Sequence, residues 1–124
     1  MKMTSEIANK WYNDIMPKLK IAKIYVPEFK VEDMEERVYG TCLWEHDMYD
    51  VFRKEVIFNA KYEFSEKVWK LIFVHELAHV LSCQAFRFDK TNNGHGKWWR
   101  FFADIIERNT GIPVFETPKE MGIA

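Results

Sequence analysis

Histidines at 75 and 79 bracket Glu76-Leu77-Ala78 inside a largely apolar run, with Trp69-Lys70-Leu71-Ile72-Phe73-Val74 before them and Val80-Leu81 after. A helix rises about 1.5 Å per residue and repeats about every 3.6 residues, so histidines four apart share one face and can aim two imidazole nitrogens at one tetrahedral metal. The segment therefore has to be a helix, with its apolar sides buried. Glu76 falls on the edge of the histidine face. From there a carboxylate can take a proton from metal-bound water without filling a coordination position.

His75-Glu76-Leu77-Ala78-His79 is the H-E-x-x-H pattern of zinc peptidases. Three protein ligands plus one open position describe a catalytic zinc site, whereas closed structural sites usually contain cysteine. Only four histidines occur in the chain, and His95 follows downstream in Gly94-His95-Gly96-Lys97-Trp98-Trp99. The metzincin arrangement needs a glycine three residues after the second histidine and a histidine six after it; those slots hold Ser82 and Ala85, which excludes that class. A glutamate on a later helix is the other known source of a third ligand, and Glu107 is the acidic residue placed to serve. Spacing alone leaves His95 and Glu107 both open.

The downstream segment resembles the SprT-like family, which includes the Spartan-type proteases. The likeness rests on a histidine after the metal helix, then glycine, an aromatic at the fourth position and a further helix: His95, Gly96, Trp99 and the stretch from Arg100 to Glu107. Upstream, Gly40-Thr41-Cys42-Leu43-Trp44 and Val56-Ile57-Phe58-Asn59 look like the family's two strands before the metal helix, and Thr110-Gly111-Ile112-Pro113-Val114 looks like its helix-ending turn. The resemblance covers roughly Tyr39 to Thr117. It implies one zinc ion held by His75, His79 and His95, and action on protein, including protein attached to DNA. Two departures stand out: Trp98 occupies a position that is often acidic in relatives, and Glu45 to Phe52 lengthen the strand connection. After His95 there is no Cys-x-x-Cys pair for a second metal.

With 124 residues, 48% hydrophobic and 16% aromatic, the chain suffices for one domain with a sizeable core and is too short for two. The expected architecture is α+β: a single compact zincin-like domain, 1–124, with a small antiparallel sheet, the metal helix and flanking helices. Within it the N-terminal helix takes about 5–19, the metal-site core about 38–115 and a C-terminal tail 116–124. Cys42 and Cys83 fit no ligand spacing and read as buried reduced thiols, which points to a cytoplasmic setting. No apolar run approaches the roughly 20 residues of a membrane span, so no membrane partner is expected.

Ser5 reads as the N-cap of a first helix with Ile7, Ala8, Trp11, Ile15 and Leu19 on one face, bent or ended by Pro17. Ile21 to Val26 reads as a strand stopped by Pro27, and Glu28, Glu32, Asp33, Glu35 and Glu36 as a surface loop. Strands over Val38–Glu45 and about Phe52–Tyr62 should pair as a hairpin. Ser65 caps the metal helix, which runs to Cys83 or Phe86; Arg87 to Asn93 forms a loop, and the last helix covers about Lys97–Asn109 before Gly111 and Pro113. Of the aromatics near the motif, Trp69, Phe73, Trp99, Phe101 and Phe102 should fill core and Trp98 should be exposed. His46 reads as a solvated loop histidine.

The chemistry expected of these residues is peptide hydrolysis in which Glu76 activates zinc-bound water and then protonates the leaving amine. Tyr49, Tyr62, His46 and Arg100 are candidate donors to the developing oxyanion. A net charge of -1 and a pI of about 6.4 lack the global excess expected of an avid non-specific DNA binder; between that and the resemblance, weak single-stranded binding through Lys97, Trp98 and Arg100 is the expectation. The alternative of another class is a non-catalytic zinc-stabilised module that binds protein or DNA. Glu76 argues against it, because a structural site needs no unliganded carboxylate.

Overall fold

The computed structural model describes residues 1–21, 26–46, 51–85 and 96–115. Among these the order of elements is α1 (Ser5–Leu19), β1 (Glu28–Glu32), β2 (Gly40–His46), β3 (Val51–Asn59), α2 (Glu66–Ala85) and α3 (Lys97–Thr110). The strands form one sheet in the order β1-β3-β2. The result is an α+β fold of three helices and a three-stranded sheet among the described residues.

α1 is an amphipathic helix that buries Ala8, Trp11, Tyr12, Ile15 and Leu19. Its cap is Thr4 rather than the expected Ser5: Thr4 is extended, and its hydroxyl accepts the Ile7 N–H at 3.1 Å, which makes Ser5 the first helical residue. Pro17 lies within the last turn, and the helix continues to Leu19 before Lys20 turns left-handed at φ 53°.

The strand read over Ile21–Val26 falls largely on residues that are not described, and a strand appears where a loop is read. Residues 22–25 lie outside the described residues, and the strand observed is Glu28–Glu32, within the segment read as an acidic loop. Its charges occupy alternate positions, so Glu28 and Glu32 face outward while Phe29 is buried and Val31 half-buried. Lys30 adds an ion pair to Glu55 at 3.0 Å. β1 runs parallel to β3, from Glu28↔Glu55 to Glu32↔Asn59, whereas β2 pairs with β3 antiparallel, from Gly40↔Phe58 to His46↔Val51. The sheet is therefore mixed, not antiparallel. β3 is central, with Val56, Ile57 and Phe58 all buried, as expected for a strand covered on both faces.

Asn59 ends β3 and organises the connection between the other two strands. Its buried amide donates to the carbonyls of Glu35 at 3.1 Å and Val38 at 2.7 Å, and its Oδ1 accepts the N–H groups of Met34 at 3.2 Å and Lys61 at 3.0 Å. Four turn groups are satisfied by one side chain.

α2 is capped as expected by Ser65, whose hydroxyl accepts the Val68 N–H at 3.3 Å. The helix is buried nearly all round, from Trp69 through Ile72–Ala78 to Val80 and Leu81, between the sheet, α1 and α3. Phe73 touches the rings of Trp11, Phe29 and Phe58, joining helix, sheet and α1 in one core. α3 ends at Gly111, whose φ of 75° gives the left-handed turn and whose N–H donates to the Glu107 carbonyl at 2.9 Å. No helix of the described residues is long and apolar enough to cross a membrane.

Candidate metal centre

His75, Glu76 and His79 all lie in α2, and the helix brings the two imidazoles together as the four-residue spacing requires, with ring centroids 5.1 Å apart. His75 is wholly buried and Glu76 is 2% exposed, while His79 is half-buried. Glu76 Oε1 stands 4.0 Å from His75 Nε2. Burial pushes the Glu76 carboxyl up to about 8, since the charged form loses its hydration.

α3 closes one side of this pair through Trp99. The indole is 3% exposed, its N–H donates to the His75 carbonyl at 3.1 Å, and its ring lies 5.1 Å from the His75 ring and 5.8 Å from that of His79. Phe115 packs edge-on against the same indole at 5.9 Å. Trp99 was expected to be core and is; its hydrogen bond to the metal helix had no signal in the sequence beyond its place four residues after His95.

β2 and β3 also pack against α2. Gly40, at the start of β2, lies against Ile72 and Glu76. Two residues along, Cys42 lies on the same strand face, and burial first and the Glu76 charge second hold its thiol above the ordinary range. Cys83 is buried and its thiol is pushed up to about 11 by burial; neither cysteine is in a disulfide. Lys54 of β3 is also buried, a placement composition does not suggest: its Nζ donates to the Val80 carbonyl at 3.2 Å and to Gln84 Oε1. A cation thus sits at the C-terminal half of the metal helix, where the helix dipole favours it.

His95 lies outside the described residues, as does Tyr49; of His46 the described part is the backbone, at the end of β2. Among the described residues no three His, Cys, Asp or Glu side chains come together to hold a metal ion. Glu107 therefore does not join the histidine pair. It stands eight residues beyond Trp99 on α3, roughly 12 Å along the axis. Two imidazoles one turn apart beside a carboxylate remain a donor set suited to zinc, with room in the count for a third ligand from elsewhere.

The other expected contacts divide. Lys97 and Arg100 are exposed at the start of α3. Trp98 is only half-exposed, with the Lys97 ammonium 4.6 Å above its ring and Phe101 edge-on at 6.1 Å. Phe101, expected in the core, is 49% exposed. Helical phase is the reason: Trp99, Phe102, Ala103 and Ile106 make the inward stripe of α3, and Phe101 falls off it. The Tyr62 hydroxyl accepts the Arg37 N–H at 2.8 Å.

Comparison with curated proteins and with solved structures finds no match. The SprT-like family model matches residues 6–118, nearly all of the chain and every element that builds this centre, and the protein belongs to that family.

Proposed function

We propose that this protein is a zinc-dependent metallopeptidase with a zincin-like site, in which His75, His79 and His95 hold one zinc ion and Glu76 is the general base. The observation that carries the reading is the placement of His75, Glu76 and His79 on a single buried helix, with both imidazoles against Trp99. Family membership supports the same theme. Zinc, when bound, supplies a Lewis acid for a peptide carbonyl and acidifies water at neutral pH.

The chain's own residues do the rest. Glu76 is oriented by its helix and held in apolar surroundings, where an ionised carboxylate gains by taking a proton. It accepts that proton from the attacking water and returns it to the leaving amine. The carboxyl is 4.0 Å from the His75 imidazole, outside direct hydrogen bonding, which leaves it available for this traffic.

Substrates in this reading are protein or peptide segments, among them protein attached to DNA. Weak single-stranded DNA contact falls to Lys97, Trp98 and Arg100, for which the exposure of Lys97 and Arg100 is the support. A cytoplasmic, reducing setting accords with two buried or half-buried thiols held protonated.

Glu76→Gln is the decisive experiment. It keeps the shape of the side chain and removes the base, so zinc content and thermal stability should stay near wild type while cleavage of an unfolded protein is abolished. A zinc-loaded wild type that cleaves nothing across varied protein and DNA-linked substrates would make the protein a zinc-stabilised binding module instead.

A further inference from the structure

Glu76 leaves the metal helix next to a strand that has no side chain at the point of contact. A Cβ built on Gly40 would stand 3.2 Å from Ile72 Cγ2, 3.4 Å from Glu76 Cγ and 3.6 Å from the Ile57 carbonyl oxygen. The backbone of Gly40 is not in the left-handed region, because Gly111 is the glycine with positive φ among the described residues. Space, not backbone conformation, is thus what requires glycine here. Ile72 and Glu76 are four apart on α2, so the two contacts are successive rungs of one helix face and Gly40 seats between them.

We infer that Gly40 is a positioning residue for Glu76: lacking a side chain, it lets β2 approach α2 at the level of the Glu76 Cγ and so helps set where the carboxylate can point. The inference rests on the peptidase reading of Glu76. A Cβ at position 40 would meet the Glu76 Cγ at contact distance, so the strand bounds the space in which the first torsion of that side chain can turn. β2 is itself held by its ladder to β3, with Gly40 opposite Phe58 and Cys42 opposite Val56, so the wall is a sheet rather than a loop. The influence of the Glu76 charge on Cys42 agrees with β2 continuing alongside the same carboxylate. Neither His75 nor His79 is among the nearest contacts of the Gly40 position, so a methyl there should act on the base and spare the metal ligands.

The test is Gly40→Ala in the full chain, zinc-loaded. Displacing a reacting group by about 1 Å can cost on the order of a hundredfold, so a shift of a few tenths of an ångström should lower kcat by about five- to tenfold. KM and zinc affinity, the latter read by competition with a chromophoric chelator, should stay within about twofold of wild type. Unchanged kcat, or a parallel fall in zinc affinity showing that α2 has moved as a body, overturns the inference. If Gly40→Ala does not fold, Gly40→Ala with Ile72→Ala removes the tighter contact and keeps the one to Glu76; its kcat should be lower than that of Ile72→Ala alone, by less than the loss in Gly40→Ala, and equal kcat overturns the inference. Cobalt(II) in place of zinc gives a readout without turnover: the pH midpoint of the visible spectrum should move in Gly40→Ala in the same direction as in Glu76→Gln. Metal-loaded wild type without any turnover defeats the peptidase reading alone, and the cobalt midpoint then decides Gly40, an unmoved midpoint overturning it.

Discussion

The Trp99 indole N–H donates to the main-chain carbonyl of His75 at 3.1 Å, while the same ring lies against the imidazoles of both His75 and His79. One side chain of α3 therefore fixes α2 at the level of the two histidines. Trp99→Phe keeps most of the ring and removes one hydrogen bond, so it should cost about 1 kcal/mol of stability and leave zinc affinity within about tenfold. Trp99→Ala should cost about 3–5 kcal/mol and weaken zinc by about 10–100-fold, because the imidazoles lose the surface that orients them. Denaturant unfolding of the metal-free variants and chelator competition on the loaded ones measure the two effects. Equal zinc affinity in wild type and Trp99→Ala would reduce Trp99 to a core residue.

Metal content separates the two candidates for the third ligand. His75→Ala, His79→Ala and His95→Ala should each purify without zinc, and Glu107→Ala should keep one equivalent, consistent with Glu107 standing apart from the histidine pair. Zinc retained by His95→Ala and lost from Glu107→Ala, read by atomic absorption, would reverse that assignment.

How much of this could be read in advance depends on how local the determining physics is. The histidine spacing, the Ser65 cap and the Gly111 stop are local rules and read through directly, as do the helices at 66–85 and 97–110. β1 did not, because its acidic residues mimic a loop; Glu28–Glu32 is a strand on account of β3, a partner more than twenty residues away. The same long-range pairing decides that the sheet is mixed. Phe101 was legible and misread, since α3's own period places it outside the buried stripe. Gly40 and Lys54 owe their roles to contacts with α2 that no sequence window spans.

Asn59 should be among the most sensitive polar positions of the fold. Its side chain is fully buried and serves four main-chain groups between Met34 and Lys61. Asn59→Ala strands those groups, each costing roughly 1 kcal/mol or more where water cannot replace the bond, so a loss of about 3 kcal/mol is expected. Asn59→Asp retains the acceptor for Met34 and Lys61 but replaces the donor to Glu35 and Val38 with an oxygen, and should be at least as damaging at neutral pH. Urea unfolding measures both; a loss below about 1 kcal/mol in Asn59→Ala would mean that the turn finds water instead.

DNA binding, if carried by the start of α3, should be weak and salt-sensitive. Lys97→Ala with Arg100→Ala removes two exposed cations and should flatten the salt dependence by about two phosphate contacts. Trp98→Ala should cost on the order of 1 kcal/mol in single-strand affinity. Phe101, more exposed than Trp98, gives the comparison: a larger loss on Phe101→Ala would move the stacking surface about one turn along the helix. Fluorescence anisotropy at low salt with a labelled single strand reads all three, and no binding there removes DNA as a partner.

The buried Glu76 carboxyl should leave a signature in the stability of the metal-free protein. Glu76 has a folded value of about 8, against an ordinary carboxylate value of 4.5. The folded state thus binds the proton more tightly than the unfolded state. The stabilisation is fully present below about 4.5 and is lost as pH rises through the folded value, so this group makes stability fall between those limits, by a few kcal/mol at most. Glu76→Gln has no proton to lose and should lack that component of the slope. The histidines are common to both proteins, so their contributions cancel in the comparison. Zinc should flatten the wild-type slope as well, because a cation near the carboxyl favours its ionised form. Denaturant unfolding from pH 5.5 to 8, with chelator and then with zinc, measures the difference, and identical slopes for wild type and Glu76→Gln in chelator would show that Glu76 is solvated when the metal is absent.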